Sequence, residues 1–268
     1  MSKISFSYKR SLCIFTMLLI IVTSVCSLES VTISVDGIKR EFQIYVPKTL
    51  SKDPIPLVIV FHGHGESLSD IISKYKLEKH WPEALIVYPQ GQKTAIQQMD
   101  PQGKHTGWQT FVGDSKDKDI RFFDEILLYA SSNYSLDTKK VYVTGFSNGA
   151  AFTYVVAAVR GEKIAAIAPI AGTLGYKEDR ELLKAIPVFH VAGKQDEFVK
   201  FQSQKEMIEF IKTLNKTIGE GKNINKNVTE YESSISKPVM TFIYNGEHKV
   251  PGDAIPFIVE FFKNNQLR

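Results

Sequence analysis

The chain has 268 residues and a formal net charge of +4; its 43% hydrophobic and 23% charged residues are ordinary for a globular protein and exclude a disordered or low-complexity chain. The basic excess is local. Residues 1–26 hold Lys3, Lys9 and Arg10 and no acidic residue, so the remainder carries about +1, and its charge gives no reason to invoke nucleic acid or an anionic membrane as partner. The only two cysteines are Cys13 and Cys26, which excludes disulfides, a structural zinc site and a cysteine nucleophile from the rest of the chain.

The basic start, the apolar run at 12–22 and the small residues Thr23, Ser24, Cys26 and Ser27 have the layout of a secretory signal peptide. The expectation is a signal at 1–26, a single catalytic domain at 27–268, a secreted location (extracellular or periplasmic), and no membrane contact once the signal is gone. Retention of the segment as an anchor stays open, and the cut falls on either side of Cys26.

Residues 31–35 and 41–46 alternate apolar and polar around Asp36-Gly37, a strong hairpin pattern. Continuous apolar runs at 57–61, 84–88, 141–144, 164–170, 188–191 and 241–244 predict strands buried on both faces, as in a parallel sheet. Helical spacing falls between them, at 120–134, 148–159, 206–214 and 254–262. The polar, Asn- and Lys-rich stretch 219–236 reads as a surface loop or insertion. The prediction is an α/β-hydrolase fold: a mostly parallel, doubly wound sheet with an N-terminal antiparallel hairpin at one edge.

Gly145-Phe146-Ser147-Asn148-Gly149 is a G-x-S-x-G motif with a strand before it and an apolar helix after it. A sharp strand-to-helix turn there exposes Ser147 Oγ, and the helix N-terminus favours an anion beside it. A serine hydroxyl needs a base. Of six histidines, His248 follows the last predicted strand in a glycine-containing loop, and is the expected base. His62 precedes Ser147 and sits in a different motif, His190 lies inside a strand as a packed core residue, His80 and His105 read as exposed, and His64 is too close to the suspected oxyanion loop. The acid that orients the base should follow a strand between Ser147 and His248; Asp196 does so, with adjacent Glu197 as the fallback. Asp179 and Glu181 precede that strand and read as solvated helix residues. The segment Phe61-His62-Gly63-His64-Gly65 resembles a strand-ending loop that offers main-chain N–H groups to an oxyanion, so the expected donors are the amides of Asn148 and of His64 or Gly65.

Together these residues resemble the secreted esterase family that includes polyhydroxybutyrate depolymerases and feruloyl esterases. The likeness runs from about residue 31 to the C-terminus. It rests on residues 61–65, Pro89-Gln90-Gly91, Gly107-Trp108, Asp119, Val141-Tyr142-Val143-Thr144 running into the serine motif, Ala165-Ala166-Ile167-Ala168-Pro169-Ile170-Ala171-Gly172, Asp196, and the segment from Gly246 through His248 to Pro251-Gly252. Departures are Ala150, Ala192 and Val250, and the absence of cysteines near Gly107-Trp108. The resemblance implies hydrolysis of small-molecule or polymer esters (feruloyl or aryl, acetyl, polyhydroxyalkanoate) by Ser147, His248 and Asp196, with no metal and no cofactor. It also makes Trp108 a candidate wall of the substrate pocket, whereas composition alone reads it equally as packing. A serine peptidase on the same fold, or a non-catalytic binding protein, stays open. Asn133, Asn215 and Asn227 head Asn-x-Ser/Thr triplets, possible glycan acceptors in a secreted eukaryotic chain.

Overall fold

The computed structural model describes residues 28–48, 53–97 and 99–267. The expected signal at 1–26, with Cys13 and Cys26, lies outside them.

The chain opens with β1 (Leu28–Val35) and β2 (Ile38–Tyr45), paired antiparallel with Val35 opposite Ile38. Asp36 and Gly37, at φ 50° and 78°, form the two-residue turn, and this left-handed pair is what Asp-Gly tolerates. Then come β3 (Ile55–Phe61), α1 (Leu68–Tyr75), the single turn α2 (Leu77–His80), β4 (Leu85–Pro89), and a small ribbon of β5 (Gln92–Lys93) with β6 (Thr106–Gly107). Ser67 caps α1 in a reciprocal box with Asp70. Next are α3 (Lys118–Asn133), β7 (Leu136–Phe146), α4 (Asn148–Arg160), β8 (Ala166–Ile170), α5 (Lys177–Leu182), β9 (Val188–Gly193) and α6 (Phe201–Leu214). The chain closes with β10 (Lys222–Asn223), β11 (Val228–Tyr231), β12 (Val239–Tyr244) and α7 (Ile255–Lys263).

Ten of these strands form one sheet in the order β1-β2-β4-β3-β7-β8-β9-β12-β11-β10. The six from β4 to β12 run parallel, and both edges are antiparallel. The second antiparallel edge gives strand structure to the stretch 219–236, read from sequence as a surface loop or insertion. Val228 there is buried, and Asn225 Oδ1 accepts the N–H groups of Asn227 and Val228, so a polar turn folds the stretch back as an edge hairpin.

Alternation along the strands divides the core between the two faces. Leu57, Ile59 and Phe61 of β3 pack on the face covered by α3, α4 and α6, while Val58 and Val60 pack on the face covered by α1, α2 and α7. Two polar side chains depart from expectation. Asp179 of α5 is buried rather than solvated, where it accepts the Val112 N–H at 3.1 Å and burial pushes its carboxyl up; Glu181 is exposed, as read. Asn215 is fully buried and its Nδ2 donates to Ile186 O and Lys237 O, so it offers no glycan acceptor in the folded protein.

Arg40 of β2 and Asp119 at the start of α3 form a buried ion pair, Nη2 to Oδ1 at 2.8 Å, and Asp119 Oδ2 also accepts the Gln109 N–H. The pair fastens the hairpin edge to the loop ahead of α3. Substituting Arg40→Met leaves the Asp119 carboxylate without its main counter-charge. The expected cost is about 3 kcal/mol, read from urea unfolding.

Candidate active site

In an open α/β sheet, groups meet at the carboxyl ends of the parallel strands. Ser147 follows β7, Asp196 follows β9 and His248 follows β12, while β8 separates the first two strands and β12 lies beside β9. Three residues far apart in sequence are thereby gathered at one rim.

Ser147 sits at φ 57°, ψ −117°, a left-handed conformation that costs a non-glycine residue of order 1–3 kcal/mol. The neighbours make the turn possible. A Cβ on Gly145 would stand 2.5 Å from Gly149 O, and one on Gly149 would run into Phe61 O and His62 O. Only glycine lets β7, α4 and β3 approach so closely.

His248 Nε2 lies 2.8 Å from Ser147 Oγ, and its Nδ1 lies 2.8 Å from Asp196 Oδ2. The three residues expected to work together are within hydrogen-bond reach, in the order serine, imidazole, carboxylate. The fallback acid Glu197 is exposed, and Asp196 alone of the two meets the ring. The Asp196 side chain is sealed from solvent, and its Oδ1 accepts the N–H groups of Phe198 and Val199 at 3.0 and 2.8 Å. With the carboxylate accepting at Nδ1, the proton of a neutral His248 sits on Nδ1 and Nε2 is free to accept from Ser147.

The His248 ring lies between Phe146, at 4.8 Å between centroids, and Phe198, at 5.1 Å. Phe198 is 73% exposed, and sequence reasoning missed it, because a lone aromatic in a loop carries no periodic signal. Gln195, Glu197, Phe198, Glu247 and His248 line a cleft of about 510 Å³. A larger cleft of about 610 Å³, lined by Leu127, Leu128, Leu136 and Val141 among others, opens at the start of β7, the opposite end of that strand from Ser147.

The two oxyanion candidates after β3 now separate. The Gly65 N–H is already donated to Thr106 O at 2.7 Å, which corrects the expectation that it could serve. The His64 N–H has no hydrogen-bond partner among the described residues. Asn148 is the first residue of α4, and a helix leaves its first N–H groups unpaired. The loop that carries His64 is held on several sides. Gly63 N–H donates to Glu66, His62 Nδ1 bonds Gly63 O at 2.7 Å, and His62 Nε2 accepts the Gly91 N–H at 2.9 Å. Burial lowers the His62 pKa, so that ring stays neutral in this fixed tautomer.

Trp108 is completely buried, which corrects its place in the substrate pocket. Its ring stacks on Phe152 and its Nε1 donates to His62 O at 2.8 Å. Asn148 bonds both main-chain groups of Trp108, Oδ1 from the N–H at 2.7 Å and Nδ2 to the carbonyl at 3.1 Å. The tryptophan therefore packs beneath the loop after β3 instead of facing solvent. His190 is a core residue as read, while His80 and His105 are exposed. Among the described residues, no group of three or more His, Cys, Asp or Glu side chains is placed to hold a metal ion. No described helix is long and apolar enough to cross a membrane.

A ten-stranded, mostly parallel sheet with a serine on a strained strand-to-helix turn and an imidazole and carboxylate in line with it defines the α/β-hydrolase class. A model of the phospholipase/carboxylesterase family matches residues 48–246, and the chain belongs to that family. The match includes Ser147 and Asp196 and stops just short of His248. The chain is 28% identical over 172 residues to a bifunctional acetylxylan esterase/xylanase of Neocallimastix patriciarum, covering 62% of this chain and 23% of that protein. It is 29% identical over 147 residues to feruloyl esterase D of Neurospora crassa, covering 54% of this chain and 49% of that one. The chain thus spans half or less of the length of these curated relatives. An acetyl xylan esterase from Aspergillus awamori superposes with a TM-score of 0.66 at 17% identity, over 88% of this chain and 99% of that one, a likeness of fold.

Burial pushes the His190 pKa down to about 4. An unfolded chain titrates that ring near about 6.5, so between the two values it binds a proton that the folded protein refuses. Stability is whole above the upper value and drains as pH falls toward the lower, by about 3 kcal/mol in all. Urea unfolding at about pH 7 and about pH 4.5 should show that decline, and a flatter one for His190→Asn.

Proposed function

We propose that this protein is a secreted serine esterase that hydrolyses carboxylic esters through a covalent acyl-enzyme. The observation that carries the reading is the unbroken hydrogen-bond path from Ser147 through His248 to a buried Asp196. Membership of the phospholipase/carboxylesterase family supports ester chemistry, and the acetylxylan and feruloyl esterase relatives favour acyl groups carried on plant polysaccharide.

Ser147 Oγ attacks the ester carbonyl as its proton passes to His248 Nε2, forming a C–O bond and a tetrahedral oxyanion. The amides of Asn148 and His64 are the donors to that oxyanion. Collapse breaks the bond to the alcohol oxygen, which leaves with the proton from His248. Water then adds to the acyl-serine by the same proton route, releasing the acid and restoring Ser147. Asp196 keeps the imidazole in its tautomer and balances the charge of the imidazolium.

Residues 1–26 act in this reading as a leader removed on export, leaving one catalytic domain from about residue 27. Mass analysis of secreted protein should find Met1 absent and a new N-terminus beside Cys26; an intact N-terminus would make the segment an anchor.

Purified protein should hydrolyse p-nitrophenyl acetate and methyl ferulate much faster than aminoacyl amides. Ser147→Ala and His248→Ala should each lower kcat by about 10⁴-fold or more while leaving the fold intact. A fluorophosphonate probe should label the intact protein and not Ser147→Ala.

A further inference from the structure

Behind Asp196 lies a buried polar chain that the mechanism above does not use. Gln204 of α6 is fully buried, and its Nε2 donates to Asp196 Oδ2 at 3.1 Å, the same oxygen that accepts from His248. The second Nε2 hydrogen goes to Val199 O at 2.7 Å, and the Val199 N–H returns to Asp196 Oδ1. One amide group therefore holds both the carboxylate and the turn that wraps it.

Gln204 Oε1 is buried without a hydrogen-bond partner, and so is His190 Nε2 on β9. His190 Nδ1 lies 2.7 Å from Tyr154 Oη. With the Tyr154 hydroxyl donating to Nδ1, the neutral ring carries its proton on Nε2. A flipped Gln204 would set its carbonyl oxygen against the Asp196 carboxylate and the Val199 carbonyl, so these two acceptors fix which way the amide points.

We infer that Gln204 is the positioning residue for the Asp196 carboxylate. This rests on the proposed role of Asp196 as partner of His248. A carboxylate with its four acceptor directions filled cannot rotate away from the imidazole as the latter gains and loses a proton. Apart from His248 itself, Gln204 contributes the one donor in that set that comes from a separate element, α6, and so ties the loop after β9 to the body of the domain.

The test is steady-state kinetics of the full chain on p-nitrophenyl acetate. Gln204→Leu, close in volume but without a donor, should lower kcat about 10- to 100-fold with KM within about threefold. Gln204→Glu should recover most of that loss on the acid side of the pH profile, where its carboxyl carries a proton to donate. It should lose it again toward alkaline pH, where two carboxylates would face each other, adding a falling limb that the parent protein lacks. A Gln204→Leu protein with kcat within about twofold of the parent overturns the inference. So does a Gln204→Glu profile of unaltered shape, which decides the matter if the leucine variant does not fold. Activity that survives Ser147→Ala would instead overturn the hydrolase reading and leave the packing of Gln204 as described.

Discussion

The structure turns on the imidazole of His248, suspended by two hydrogen bonds of 2.8 Å between Ser147 and Asp196. Each bond demands something of the fold. The first requires Ser147 to stand out from the end of β7, which forces its backbone into the left-handed region and forces glycine at 145 and 149. The second requires a carboxylate kept from water, stabilised by the amides of Phe198 and Val199 and the side chain of Gln204. The parallel order of β7, β8, β9 and β12 allows both to be met at one rim.

The opposite flank is built by packing. Trp108 stacks on Phe152 and props His62, which with Glu66 and Gly91 holds the loop after β3 while the His64 amide stays unpaired. Asn148 bonds Trp108 with its side chain and offers its main-chain N–H as the first residue of α4. The mouth has a different character. Glu197 and Glu247 line the cleft next to His248 together with the exposed Phe198.

Much of this was legible in the sequence because it follows from periodicity and from glycine. Buried strands read as apolar runs, the Asp36-Gly37 hairpin as alternation about a turn, and Ser147, Asp196 and His248 by their places after strands. What escaped was set by contacts between distant segments. Trp108 reads equally as pocket wall and as packing, and its stacking on Phe152 and bond to His62 O under the loop after β3 decide for packing. Asp179 looks solvated by its helix, yet the Val112 N–H draws it inside. The edge hairpin in 219–236 hides in polar composition, because an edge strand needs only one buried face, here at Val228. Gly65 and His64 are equivalent in the motif and differ only because Thr106 takes one of the two amides.

The most direct measurement of the central claim is to trap the reaction midway. Protein quenched with acid during turnover of p-nitrophenyl acetate, then digested and analysed by mass spectrometry, should carry one acetyl group on the peptide containing Ser147. Turnover without any acylated peptide, or with the acetyl group on another residue, would contradict the account.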